Sequence, residues 1–219
     1  MDFSVIIDNL AFIKKAYCMT LLLSVMSITF GFVVGVLIGV ARVYGPRVPE
    51  LAFGFFVDTM RAVPVLVVLV WSYLAFPVLV GIRMDPLTGA TVALGLHLSA
   101  YVSETVRSGL TSISRNQFRA AISLGMTPRQ AIFSVVLPQA LIRMIPPLGS
   151  LIIIAVKDSA IASVIAFPEL LRSSQILVGQ TFRPLEIYTT AMVLYFVTLY
   201  PSALLFEHIY KRLAPRGAS

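Results

Sequence analysis

The sequence predicts an all-α, polytopic membrane protein, and three observations carry that prediction. Hydrophobic residues make up 58% of the 219 and charged residues only 12%, about half the usual share for a globular domain. Mean hydropathy is +0.91. A water-soluble domain of this size has no way to hide so much apolar surface, whereas a bilayer takes it as the outer face of helices. The charges also leave long gaps, and about 20 helical residues cross about 30 Å of hydrocarbon. Read as one domain, 1–219, the chain offers five such gaps.

The first, residues 16–41, has 26 residues without a charge and predicts a span over about 16–42. Lys14 and Lys15 precede it as they would a signal peptide. The run is too long for a signal's apolar stretch and no small-x-small cleavage site follows closely, so it is read as a retained helix. Gly31, Gly35 and Gly39 recur every four residues and line one face for close approach of another helix. Residues 62–82, 21 without a charge, predict a second span over about 55–82. Pro64 kinks it, because its ring removes an amide and clashes one turn back; Arg61, three residues earlier, caps the freed carbonyls or faces the path. Residues 86–103 predict a third span over about 86–110. The fourth, over about 142–166, is interrupted by Lys157-Asp158 and so carries an ion pair inside it. Residues 187–206 predict the fifth, over about 186–210.

Five spans put the termini on opposite sides. With the N-terminus outside and the C-terminus in the cytoplasm, ten of the 17 Lys and Arg fall inside: Arg42, Arg47, Arg107, Arg115, Arg119, Arg129, Arg143, Lys211, Arg212 and Arg216. Five fall outside: Lys14, Lys15, Arg83, Arg172 and Arg183. That asymmetry favours this orientation. The net charge of +7 then reflects cytoplasmic loops and anionic headgroups rather than nucleic acid. Cys18, the single cysteine, excludes an internal disulfide framework and any multi-cysteine metal site.

The loop between the third and fourth spans is rich in helix punctuation. Ser114-Arg115-Asn116-Gln117 and Thr127-Pro128-Arg129-Gln130 both fit a capping box, the second with proline at the first helical position. Gly125 lies between them, where a helix end takes a left-handed residue. Residues 114–137 are therefore two short helices joined at Gly125-Met126, ended by Pro138. Phe118, Ala121 and Ile122 share a face of the first; Ile132, Phe133, Val136 and Leu137 share a face of the second. Such a hairpin either lies in the headgroups or docks on a soluble partner.

Gln117-Phe118-Arg119-Ala120-Ala121, then Gly125, then Val135-Val136-Leu137-Pro138 resembles the E-A-A, three residues, G, nine residues, I-x-L-P signature of ABC importer permeases. Four further stretches are similar to the polar amino-acid branch of that family. They are Arg61-Ala62-Val63-Pro64-Val65-Leu66, Ala100 to Gly109, Leu137-Pro138-Gln139-Ala140, and Lys157-Asp158-Ser159 followed by Pro168-Glu169-Leu170-Leu171. Five motifs in order are specific where one is weak. The resemblance implies a type I ABC importer transmembrane domain in a bacterial inner membrane, forming half a pore. It implies an ATPase dimer below, a second permease subunit, and an extracytoplasmic solute-binding protein that delivers the amino acid. ATP and Mg²⁺ would be bound by the partner ATPase, and Gln117, Arg119, Ala120, Ala121, Gly125, Leu137 and Pro138 would form the coupling contact.

Arg119 stands where the signature has Glu, and Lys157-Asp158-Ser159-Ala160-Ile161 replaces K-D-T-S-L. A symmetric pair would set two reversed charges against two identical ATPase grooves. One altered half is tolerated, since an exposed charge contact is worth about 0–1 kcal/mol, which favours a heterodimer over a homodimer.

No G-x-x-x-x-G-K-[ST], G-x-S-x-G or H-E-x-x-H occurs, and His97 and His208 are isolated, so no catalytic or metal residue is assigned in this chain. Charges within spans face a cavity or a partner. Glu104 either pairs with Arg107, three residues on, or lines the path and attracts a substrate ammonium. Asp158, with Ser159 beside it, is the stronger ligand candidate because the fourth helix is interrupted there, where the resemblance also points. Lys157 would hold a substrate carboxylate or pair with Glu104. His97 shares the Glu104 face two turns earlier, either as a packing residue or in the pore. The competing reading is a self-sufficient secondary transporter with Glu104 and Asp158 coupling protons.

Overall fold

A computed structural model describes residues 3–213, all the ordered elements of which are helical. In chain order they are α1 Ser4–Asp8, α2 Leu10–Tyr44, α3 Arg47–Ala62, α4 Val65–Val80, α5 Pro86–Thr111, α6 Arg115–Ser123, α7 Pro128–Ile165, α8 Leu170–Thr181 and α9 Pro184–Leu213. Arg216, counted above among the cytoplasmic cations, lies outside the described residues.

The bundle is built on α2 and α5. A Cβ added at Gly31 would meet the Gly95 carbonyl at 2.9 Å, at Gly35 the Ser99 carbonyl at 2.7 Å, and at Gly39 the Ser103 carbonyl at 2.8 Å. The four-residue glycine repeat therefore lets two helix backbones touch along three turns, as its spacing predicts. α7 packs on the other side of α5, burying Leu98, Val102, Val106, Met144, Leu151 and Ala155 together. α9 closes the bundle at the opposite end, where Tyr17 and Thr198 hydroxyls lie 2.6 Å apart.

α2, α7 and α9 are each long and apolar enough to cross a membrane, and α3 with α4 qualify together. α5 is 26 residues long but carries more small and polar residues, since protein rather than lipid surrounds it; Thr91, Ser99 and Ser103 are buried there. The expected kink at Pro64 is a break of 110° between α3 and α4. Pro64 drives Val63 out of helical space to an extended conformation (φ −91°, ψ 133°), so α3 stops at Ala62 and the chain turns.

Pro138 is also expected to stop a helix, and here α7 runs straight through it. The reason is the wide turn just before it. Residues Ile132–Val136 form a π-helical segment, as Trp71–Ala75 do before Pro77 in α4. Each segment contains the residue four before the proline, so the ring escapes the clash that would break an ordinary α-turn. Gln139 Nε2 then donates to the Val135 carbonyl at 2.9 Å. The second arm of the hairpin is thus the first part of the fourth span, not a separate short helix.

Candidate functional site

Two places in the bundle hold the residues singled out from sequence. The first is a cavity of about 170 Å³ between α2, α5 and α7, lined by Ser27, His97, Tyr101, Leu151, Ile154 and Asp158 among others. His97 and Asp158, far apart in sequence, meet here because α7 packs on α5. The His97 ring lies tilted by 53° against Tyr101 with centroids 5.2 Å apart, and it sits beside the Val63 backbone at the α3–α4 break. Arg61 lies over the same Tyr101 ring at 5.6 Å. Arg61, His97 and Tyr101 thus tie the break in the second span to the wall of the cavity.

Asp158 ends the α-helical part of α7, where residues Ser159–Ile165 tighten into a 3₁₀ segment. It makes no hydrogen bond or ion pair among the described residues. The ion pair expected inside this span is therefore absent: Lys157 is exposed and, as the adjacent helical residue, points about 100° away. Ser159 is buried, its hydroxyl donating to the Val156 carbonyl at 2.7 Å.

Glu104 does not reach the cavity. Arg42 Nη1 donates to its Oε2 at 3.0 Å, and Arg107 donates to both oxygens, at 2.6 and 3.1 Å. This bears out the Glu104–Arg107 pair and adds Arg42 from α2. Glu104 is consequently taken, and the alternative pairing with Lys157 does not form.

The second place is the hairpin. The chain leaves α6 by a Schellman turn: Gly125, at φ +85°, donates to the Ile122 carbonyl at 2.9 Å, and Met126 donates to the Ala121 carbonyl at 3.2 Å. The Thr127 box forms with both bonds, 3.4 and 2.8 Å. The Ser114 box does not: its hydroxyl accepts from Asn116 at 3.3 Å, and Gln117 is exposed with no return bond. Arg119 and Ala120 are exposed, while Ala121 is buried and Leu137 packs against the main apolar cluster.

Sequence reasoning missed Tyr101, Ser27, Arg42 and Glu169. Tyr101 follows His97 by four and was legible as the same face; Ser27 precedes Gly31 by four on the small-residue stripe. Glu169 was flagged only as part of the Pro168-Glu169-Leu170-Leu171 stretch, with nothing local to say that it would be buried. Fully buried at 0% exposure, it caps α8 by accepting from the Leu171 and Arg172 amides at 2.7 and 2.6 Å, with Tyr195 donating at 3.4 Å. Burial pushes its carboxyl up to about 7 against those bonds. At the exposed end of α5, Asp85 is held below the usual carboxylate range by the Thr88 amide and hydroxyl.

Residues 20–218 match the family described as "Binding-protein-dependent transport system inner membrane component". The chain is 36% identical over 202 residues to the "Probable glutamine ABC transporter permease protein GlnP" of Bacillus subtilis, covering 90% of this chain and 91% of that one. It is 33% identical over 216 residues to the "Glutamine transport system permease protein GlnP" of Escherichia coli, covering 98% and 97%. The fold superposes with a TM-score of 0.89 and 31% identity on a solved "amino acid ABC transporter with histidines", covering 97% of this chain and 99% of that one.

Proposed function

We propose a role for each end of this chain, which belongs to the family of binding-protein-dependent transport system inner membrane components. It is a permease subunit of an ATP-driven amino-acid importer, a multi-pass inner-membrane protein that forms part of the translocation pathway and couples to a separate ATPase. The secondary-transporter reading finds no support in these comparisons, and Glu104, one of its two proton carriers, is occupied by arginines.

The cavity beside Asp158 is the station on the path where the cargo's ammonium is held. One observation carries this: Asp158 is a carboxylate with no partner among the described residues, at the edge of a partly enclosed, otherwise largely apolar space. A charge left so in a membrane helix is costly unless a ligand or water meets it. The space is far below the ~300–1,000 Å³ of drug-sized sites, which suits one small solute. Like the relatives named for glutamine, the chain would take a polar amino acid, with Ser27, His97 and Tyr101 around the side chain.

The hairpin at residues 114–137 is the coupling contact. α7 carries both sites: from Pro128 to Asp158 is about 45 Å of continuous helix at 1.5 Å per residue. A displacement imposed on the hairpin is delivered to Asp158 without an intervening loop. Such a shift changes access only by as much as the partners' affinities differ between the two states. The N-terminus lies outside and the C-terminus in the cytoplasm, a solute-binding protein delivers cargo at the α8 end, and ATP with Mg²⁺ is handled by the partner, so no chemistry is assigned to this chain.

The test is reconstitution with the co-purifying ATPase and a panel of amino acids. A polar amino acid should stimulate ATP hydrolysis, and Asp158→Asn should abolish that stimulation while the complex still assembles. Unchanged stimulation in Asp158→Asn removes Asp158 from the path.

A further inference from the structure

We infer that the ATPase surface met by the hairpin is acidic, and that Arg115 and Arg119 are the side chains that read it; the inference rests on the permease reading above. It starts from an imbalance. Between Arg107 and Lys157 the sequence contains no Asp or Glu, yet four arginines lie there. One of them is used internally: Arg143 Nη1 donates to the Ser112 carbonyl at 2.7 Å and to its hydroxyl at 3.2 Å, pinning the start of the hairpin to α7. Arg115, Arg119 and Arg129 are exposed and make no hydrogen bond or ion pair among the described residues.

Two of these stand where folding alone disfavours them. Arg115 is the first residue of α6 and Arg129 the second of α7, at the positive ends of the helix dipoles, and neither first turn holds an acidic residue. Cations kept at such positions without internal compensation find it outside the chain.

Shape selects the partner. Arg115, Phe118 and Arg119 of α6 form one wall of a groove of about 390 Å³, completed by Tyr44 of α2 and by Ile132 and Val136 of α7. A groove with an apolar floor and a guanidinium rim takes a protruding acidic side chain seated among apolar neighbours. Anionic headgroups are a layer with no protrusion to fill it. At the tip, Leu124 is 82% exposed beside the Gly125 turn and supplies an apolar knob to the same partner. Planar guanidinium pairs with carboxylate in two parallel bonds, so the pairing fixes position as well as charge. With an acidic counterpart, Arg119 needs no different second permease, and a homodimer would make the contact twice.

The experiment is retention of the ATPase by the tagged complex in phosphatidylcholine nanodiscs across a salt series. For the unmodified chain, retention should fall as salt rises, because exposed charges are screened. Arg115→Glu/Arg119→Glu should retain about tenfold less at low salt, since like charges then meet. Arg115→Lys/Arg119→Lys, which keeps the charge, should retain more than Arg115→Gln/Arg119→Gln. Suppressors of the Glu variant should change acidic residues of the ATPase to basic ones. Equal retention by the Glu variant overturns the inference. So does a defect that needs anionic lipid while retention is intact, which assigns the arginines to headgroups. An unmodified chain that brings down no ATPase at any salt sinks the permease reading itself.

Discussion

Glu104 and Asp158 are both carboxylates set into helices that pack on one another, and their surroundings differ in every respect that matters. Glu104 is 23% exposed and holds Arg107 through two bonds and Arg42, itself 12% exposed, through a third. Asp158 has no hydrogen-bond or ion-pair partner among the described residues and opens on a cavity. The first region is finished: α2 and α5 are locked by charge just beyond the Gly39–Ser103 contact, and Glu104 can offer a cargo nothing without releasing an arginine. The second is unfinished within the chain. The difference teaches that a charge in a membrane helix is not itself a reason to place it on the path; the proposal for Asp158 rests on its being left uncompensated by the fold.

This contrast can be broken by paired substitutions. Asp158→Asn should cut uptake by about a hundredfold, as loss of a charged, desolvated contact costs several kcal/mol, and should leave thermal stability at or above that of the unmodified protein. Glu104→Gln should do the reverse. It strands two arginines and should cost about 2 kcal/mol of stability, between an exposed and a buried pair. Its uptake per folded complex should fall far less. Measuring melting temperature and vesicle uptake on the same preparations decides it: a stable, transport-dead Glu104→Gln would place Glu104 in the path after all.

Glu169 sharpens the comparison as a third case, buried and bonded but with no cation. Its carboxyl is raised from 4.5 to about 7, so between these values the folded protein holds a proton that the unfolded chain releases. Stability from this group is therefore fullest below about 4.5 and is lost as pH rises through about 7. Melting temperature should fall from about pH 5 to about pH 8, and Glu169→Gln should flatten that slope. A rise over the same range would mean that the Leu171 and Arg172 amides outweigh burial.

The smallest effect is expected at Ser27, whose hydroxyl is buried at the cavity wall without a hydrogen-bond partner among the described residues. Ser27→Ala should change stability by less than about 1 kcal/mol, because no bond is lost. A raised KM for uptake with unchanged maximal rate would show that the hydroxyl meets cargo; unchanged KM would make it a packing residue.

What the sequence by itself determined is what depends on neighbours within a turn or two. Charge-free runs placed the long helices, because bilayer thickness sets their length. The four-residue glycine repeat announced its packing face. Gly125 and the Thr127 box defined the hairpin turn, because backbone sterics and capping are settled within six residues. The rest depended on distant backbone. Proline has one local rule and two outcomes here. At Pro64 the helix breaks by 110°, and at Pro138 and Pro77 a preceding π-turn absorbs the ring; nothing local distinguishes them. Capping sequences alike at Ser114 and Thr127 closed at only one. Above all, Arg107 was legible as a partner for Glu104 at i+3, but that Arg42 would join it and that no cation would reach Asp158 was decided by how α2 and α7 pack on α5. Arg42 is 62 residues from Glu104 in the chain and 3.0 Å away in space. Charge compensation acts over a few ångströms in space without regard to sequence separation, so only the tertiary structure could say which carboxylate was left open.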